Sequence, residues 1–327
     1  MLKIGIIGAG VIGTYHEGEI SKLNDCKITA VCDIRKDAAR KIAEKHNAKV
    51  YEDYRDLLNT EVDIVYICTP PHLHKEMAVA AAEAGKHIFL EKPMALTYED
   101  GIKIKQAVDK AGVKCQIGYV VGFRPVEDRA RRILNEGKVG NLIMAWDFRM
   151  SNGSVKVIKE GLDSYRDWLN DKNRGGGVLI ECMTHEIAWL ISLGGEVDSV
   201  YGQVINSPVE GIKVDDNHGA TINFKSGGFG VLGTSWSSPA GFNSKGIVAS
   251  EGNMKINSDN LILGVQNEEV KELEGRADIP ESKQKYFNEC VKNDIKPINS
   301  IEEALYNLKV MFAIHAASEK NQVIKVK

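Results

Sequence analysis

The chain has 327 residues, of which 43% are hydrophobic and 27% charged. That length favours two domains of ordinary size with cores that need no disulfide or metal staple. Its 42 basic and 45 acidic side chains leave a formal charge of -3, which excludes the positive footprint of a dedicated nucleic-acid binder. No apolar run approaches the roughly 20 residues of a membrane span. The six cysteines form no C-x-x-C pair, so buried free thiols in a reducing, cytoplasmic setting are expected.

The opening residues Met1 to Gly8 read as a strand entering a glycine turn rather than as a leader segment. Strand-type apolar runs follow at residues 28–32, 64–68, 87–90 and 115–117, with helical stretches at 14–23, 37–46, 75–84 and 99–111 between them. Continuous apolar strands alternating with helices predict a doubly wound parallel sheet covered on both faces, that is, a Rossmann domain. After residue 121 the rhythm changes. A helix opens at Arg124-Pro125, and alternating segments follow at 142–150, 197–205, 218–224, 229–237, 246–249 and 261–265. Phe224 to Phe229 reads as a hairpin, residues 178–193 as one amphipathic helix, and Ser300 to Glu303 as a capping box opening a helix to residue 319. The expected fold class is α/β: residues 1–121 form the Rossmann domain, and residues 122–327 an α+β domain on a large open, mostly antiparallel sheet. One face of that sheet is left to meet a partner.

Gly8-Ala9-Gly10-Val11-Ile12-Gly13 follows a strand and precedes a helix, as a dinucleotide fingerprint requires. Glycines permit the tight turn and close approach of a pyrophosphate, and the helix N-terminus faces the phosphates. Asp33 ends the next strand, where an acid grips the ribose hydroxyls and repels a 2′-phosphate. NAD is therefore expected, with NADP possible because Arg35 and Lys36 lie close by. Lys92, in Glu91-Lys92-Pro93, follows a strand of the same sheet and is expected at the carboxyl-end crevice. Glycines 175 to 177 lead into Glu181 and His185, four residues apart on one helix face, a pairing suited to general acid–base chemistry. Trp168 precedes the triplet as a candidate pocket wall. His16, His72 and Cys68 lack tetrahedral ligand spacing, and no metal is expected.

The ordered set of these motifs, with Cys68-Thr69-Pro70-Pro71-His72-Leu73-His74 between the fingerprint and Glu91-Lys92-Pro93, resembles the glucose-fructose oxidoreductase / inositol dehydrogenase / rhizopine-catabolism (Gfo/Idh/MocA) family across essentially the whole chain. The resemblance implies an NAD(P)-dependent enzyme that moves a hydride between nicotinamide C4 and a secondary hydroxyl or ketone of a sugar, polyol or related molecule. By similarity Gly8, Gly10, Val11, Ile12, Gly13 and Asp33 bind the dinucleotide. Thr69, Pro70 and His74 line the nicotinamide side, and Glu91 holds the nicotinamide ribose. Lys92 sits between nicotinamide and substrate, and its bond to Pro93 is a candidate cis peptide. The catalytic set is then Lys92, His185 and Glu181, with Tyr119 and Trp168 joining them at the substrate.

Two departures stand out. Glu181 occupies a position that is usually aspartate in the family, and Val120-Val121-Gly122-Phe123 replaces the polar residues usual after Gly118-Tyr119. Relatives also include NAD-assisted glycoside hydrolases and a non-catalytic dinucleotide-sensing repressor, which are the alternative functions. A homodimer or homotetramer through the C-terminal sheet is implied.

Overall fold

Apolar runs at the start of the chain become the strands of a parallel sheet. In the computed structural model, which describes residues 1–160, 167–275 and 279–327, the first elements are β1 (Leu2–Ile7), α1 (Val11–Ile20), β2 (Cys26–Cys32), α2 (Lys36–His46), β3 (Lys49–Tyr51) and α3 (Tyr54–Leu58). They continue with β4 (Ile64–Ile67), α4 (His74–Glu83), β5 (His87–Leu90), α5 (Tyr98–Ala111) and β6 (Cys115–Ile117). The strand order is β3-β2-β1-β4-β5-β6, and every ladder is parallel. Ile64, Val65, Tyr66 and Ile67 are all fully buried, which is why β4 reads as an unbroken apolar run instead of an alternating one. The order reverses between β1 and β4, and that reversal marks a crevice beyond their carboxyl ends.

The second unit contributes α6 (Pro125–Asn135), β7 (Leu142–Met150), α7 (Gly153–Glu160), α8 (Val178–Glu181), α9 (Met183–Gly194), β8 (Val197–Ile205) and β9 (Asn217–Phe224). It goes on through β10 (Phe229–Ser235), β11 (Phe242–Ala249), β12 (Gly252–Ile256), β13 (Asn260–Val265) and β14 (Lys271–Glu274). Neighbouring strands run antiparallel except β7 and β10, which pair in parallel. Alternation decides the faces: Ala220, Ile222 and Phe224 of β9 are buried, whereas Thr221 is partly exposed and Asn223 exposed. The buried face lies under α9. A Cβ at Gly230 would stand 2.9 Å from Leu190 Cδ1. Buried charges tie the layers together: Lys245 on β11 pairs with Asp147 on β7 (2.7 Å) and Glu127 on α6 (2.8 Å), while Arg149 on β7 pairs with Glu186 on α9 (3.2 Å).

The region expected as one helix over residues 178–193 is broken at Cys182, where the helical run Lys172–Glu181 meets Met183–Gly194 at 45°.

The chain then forms α10 (Lys283–Lys292), α11 (Ile301–Lys320) and the edge strand β15 (Ile324–Lys325), which pairs with β8. Two units result: Met1–Tyr119 with Pro280–Leu305, and Val120–Ile279 with Tyr306–Lys327. A single division at residue 121 leaves Pro280–Leu305 with the second domain, whereas the structure places it with the first. There Phe287 meets the Phe89 ring edge-on at 5.9 Å, and Ile117 N donates to Asn299 O (2.9 Å). The capping box forms as expected, with Ser300 N donating to Glu303 Oε2 (2.9 Å) and Glu303 N to Ser300 Oγ (3.4 Å).

In the second unit α11 lies on β8 so closely that a Cβ at Gly202 would stand 2.9 Å from Ile314 Cγ2. Gly202→Leu is expected to lower stability by about 1–3 kcal/mol through overpacking. Urea unfolding checks it, with a lower midpoint and an unchanged slope.

Candidate active-site residues

Close packing explains two of the three fingerprint glycines. A Cβ on Gly8, whose φ is +95°, would lie 2.8 Å from the Cys68 carbonyl carbon, and one on Gly13 would strike the Gly8 carbonyl oxygen. Gly10 differs: among the described residues a Cβ there finds only the Arg35 guanidinium, at 3.9 Å. Its bare backbone therefore leaves the mouth of the turn open. Helix α1 begins at this point with no side-chain cap and no acidic residue in its first turn. The first N–H groups of a helix have no intrahelical acceptor, so the arrangement fits an anionic pyrophosphate. Val11 and Ile12 stand 50% and 44% exposed beside it.

Asp33 is 8% exposed. Its Oδ2 accepts from Ala9 N (2.8 Å), and its Oδ1 accepts from Arg35 N (2.8 Å) and Arg35 Nε (3.1 Å). The carboxylate thus braces the glycine turn from the end of β2, and Arg35 is its ion-pair partner. Lys36, the other cation nearby in sequence, pairs with Glu52 at 2.6 Å.

Thr69 and Pro70 follow β4 and are partly exposed. His74 is fully buried; its Nε2 meets Thr69 O and its Nδ1 meets Pro93 O, both at 2.8 Å. A neutral imidazole donates to one carbonyl at a time, and donating to both takes the imidazolium. Burial pulls the His74 pKa down, against the two carbonyls, which favour the charged ring. Rather than lining a surface with its ring, His74 clamps the backbone of the Thr69 turn to that of Pro93. The Lys92–Pro93 bond is cis.

Glu91 is 9% exposed at the end of β5. His16 Nε2 lies 2.9 Å from its Oε1, Gln284 Nε2 lies 2.8 Å from His16 Nδ1, and Lys92 N donates to Oε2 (3.2 Å). An amide nitrogen can only donate. Nδ1 therefore accepts from Gln284, and the proton on Nε2 is directed at the carboxylate. Burial by itself raises the Glu91 pKa; the His16 hydrogen bond and the charges of Lys283 and Lys92 overcome that and hold it at about 2. Gly118 is glycine for want of room, because a Cβ would stand 2.5 Å from Glu91 Oε1. Lys92 follows, partly exposed, beyond the carboxyl end of the sheet. Tyr119 is fully buried and offers a substrate no accessible surface. Gln284 and Lys283 escaped the sequence reading, which weighed His16 only as a metal ligand, since no local pattern connects residues up to 268 positions apart.

In the second unit the glycine triplet serves the protein's own packing. A Cβ on Gly176 would lie 2.6 Å from Trp168 O, and one on Gly177 (φ +106°) would lie 2.9 Å from the Asp215 carboxyl carbon. Asp215 replaces a cap at the start of α8: its backbone O accepts from Val178 N (2.9 Å) and its Oδ2 from Leu179 N (2.7 Å). Glu181 and His185, expected on one continuous helix face, stand on either side of the break. Glu181 Oε2 accepts from Cys182 Sγ (2.7 Å). His185 N donates to Cys182 O (3.0 Å), and its side chain is partly exposed on the first turn of α9. The next residue, Glu186, is fully buried; burial pushes its carboxyl above the ordinary range and Arg149 opposes the shift. Trp168, partly buried, packs on the cluster of Val178, Cys182 and Trp236.

A family model described as "Oxidoreductase family, NAD-binding Rossmann fold" matches residues 2–119, and one described as "GFO/IDH/MocA C-terminal domain" matches residues 128–255. Scyllo-inositol 2-dehydrogenase (NAD(+)) of Bacillus subtilis is 28% identical, over 95% of this chain and 92% of the relative. Myo-inositol 2-dehydrogenase of Thermotoga maritima is 29% identical, over 80% of this chain and 76% of the relative. Among solved structures, levoglucosan dehydrogenase in complex with NADH and L-sorbose superposes with a TM-score of 0.88 at 21% identity, covering 100% of this chain and 99% of that one.

The Glu91 network generates a pH prediction. Its folded pKa of about 2 lies below the ordinary 4.5, so its contribution is present above pH 4.5 and is lost as pH falls toward 2. The shift corresponds to about 3 kcal/mol at neutral pH. Glu91→Gln should therefore be less stable than wild type by that order at pH 7, with the gap closing toward pH 2, as urea unfolding across the pH range will measure.

Proposed function

The chain belongs to the Gfo/Idh/MocA family of NAD-binding oxidoreductases, and from this premise we propose that it oxidises a secondary hydroxyl of an inositol-like polyol or a sugar. The observation that carries this reading is the anchored Glu91-Lys92 segment. A buried carboxylate held by His16, which Gln284 orients, and by the charge of Lys283 fixes the residue before Lys92 at the carboxyl end of the sheet, where doubly wound folds bind ligands. The inositol dehydrogenases among its relatives support the substrate class.

Gly8, Gly10, Val11, Ile12, Gly13 and Asp33 hold the dinucleotide, with Thr69, Pro70, Glu91 and Lys92 toward its nicotinamide end. Asp33 keeps acceptor capacity for ribose hydroxyls, because a carboxylate has about four lone-pair sites. The bound nicotinamide supplies the two-electron exchange with the substrate carbon. His185, neutral, takes the hydroxyl proton. The Lys92 ammonium steadies the negative charge that develops on that oxygen. Glu181 accepts from a neighbouring substrate hydroxyl or orients His185. Six free cysteines, five of them buried, fit the reducing cytoplasm as its compartment.

The open face of the second unit's sheet takes a second copy of this chain. Trp146, Phe148 and Met150 of β7 and Val231 of β10 lie partly exposed there, with Phe242 57% exposed beside Met150. Such a contiguous apolar face suits a self-complementary interface.

Lys92→Ala should lower kcat/KM by about 10²–10⁴-fold on whichever polyol a spectrophotometric screen with NAD and NADP identifies, while the NADH Kd stays within about twofold. Equal loss of both defeats the assignment, and full turnover in His185→Ala removes the base. Separately, Phe148→Glu with Val231→Glu should yield a smaller species by light scattering than wild type, with the circular dichroism unchanged.

A further inference from the structure

Arg149, near the carboxyl end of β7, carries a charge that its surroundings use only in part. Asp147, two residues earlier on the same strand face, is held by Lys245 (2.7 Å). Arg149 instead meets Glu186 on α9, its single ion-pair partner among the described residues, through Nε at 3.2 Å. Neither Glu186 oxygen takes a hydrogen bond from a described residue. The pair is therefore a one-point charge contact, not the bidentate fork in which guanidinium and carboxylate saturate each other.

The contact is also one-sided. Glu186 is fully buried, whereas 32% of the Arg149 side chain is exposed. Glu186 thus holds the guanidinium from the protein side at Nε, and the two terminal nitrogens lie further out along the side chain with their N–H donors. Burial works against the Arg149 charge, and Glu186, Cys182, Asp147 and Glu181 outweigh it. That Cys182 and Glu181 act on it sets the guanidinium beside the break between α8 and α9, the segment that carries Glu181 and leads into His185.

A planar guanidinium suits two neighbouring oxygens, which can belong to a carboxylate or to adjacent hydroxyls. Local charge separates these ligands. Three carboxylates already act on this cation, so a further anion meets repulsion that a neutral diol does not. The geometry points to Arg149 as a specificity-determining residue that donates to two adjacent hydroxyl oxygens of a neutral polyol, next to the reacting carbon. This rests on the reading of Glu181 and His185 as the substrate-facing turn, and adds a donor that the sequence motifs did not include.

Steady-state kinetics of the full-length enzyme test it on three compounds: the polyol from the screen, its analogue lacking one hydroxyl beside the oxidised carbon, and the matching sugar acid. Arg149→Lys keeps a charge facing Glu186 but loses the planar fork. It is expected to raise KM for the polyol about tenfold, with kcat within about threefold, the NADH Kd within about twofold and the circular dichroism unchanged. For the deoxy analogue the change in KM should stay under about threefold. Arg149→Met combined with Glu186→Gln removes both charges, so neither is left buried alone, and should show the same contrast at about 10–100-fold. Equal KM increases on the polyol and its deoxy analogue would mark a structural role and overturn the assignment. A wild-type preference for the sugar acid that disappears in Arg149→Lys overturns the neutral diol. Turnover of the polyol with an unmoved KM in both variants defeats this inference alone, whereas no turnover of any polyol by the wild type defeats the proposed function and this inference with it.

Discussion

A carboxylate taken out of water must find compensating partners or give up its charge. Glu91 meets that requirement with groups from distant parts of the first unit: His16 on α1, itself held by Gln284, and the charge of Lys283 on α10. Much of the nucleotide-binding half follows from this. Gly118 has no side chain because the carboxylate fills its place. His16 is fixed in one tautomer by the Gln284 amide behind it, and its contact with Glu91 ties α1, which follows the glycine turn, to the end of β5. Lys92, the residue proposed to act on substrate, inherits its backbone position from the same anchor, because its own N–H donates to Glu91.

The second unit solves a similar problem with ion pairs beneath α9. Arg149 and Lys245 project from the helix-covered face of β7 and β11 toward Glu186, Asp147 and Glu127. Removing one member of such a cluster leaves a buried charge uncompensated, so the pairs specify how α6 and α9 seat on the sheet. His185 begins the helix seated this way, one residue before Glu186. Its aim is therefore coupled to the sheet through the backbone of α9 as well as through the Cys182 break.

What could be read in the sequence was whatever is local. Residues 87–90, 115–117, 142–150 and 197–205 form strands with the expected limits, because each is an apolar or alternating run bounded by turn residues. Gly8 to Gly13 and Asp33 were legible because the fingerprint's spacing encodes a single turn and the strand end opposite it. Strand β3, three residues long with exposed Lys49 at its head, is too short to show a period. The helix break at Cys182 was hidden for a different reason: Val178 to Leu193 keeps an apolar helical pattern throughout, and tertiary contacts to Trp236 and Asp215 decide where it bends. Nothing local in the glycine triplet announces its partners, Trp168 O and Asp215, the latter some forty positions downstream.

The return of Pro280–Leu305 to the first unit has a consequence for how the protein is made. Phe287 completes the apolar cluster around Phe89, and Gln284 completes the hydrogen bonding of His16. The nascent nucleotide-binding half therefore leaves the ribosome unfinished. Translation must pass strands β7 to β14 before α10 emerges to close it, so the earliest part of the chain waits for a segment made some two hundred residues later.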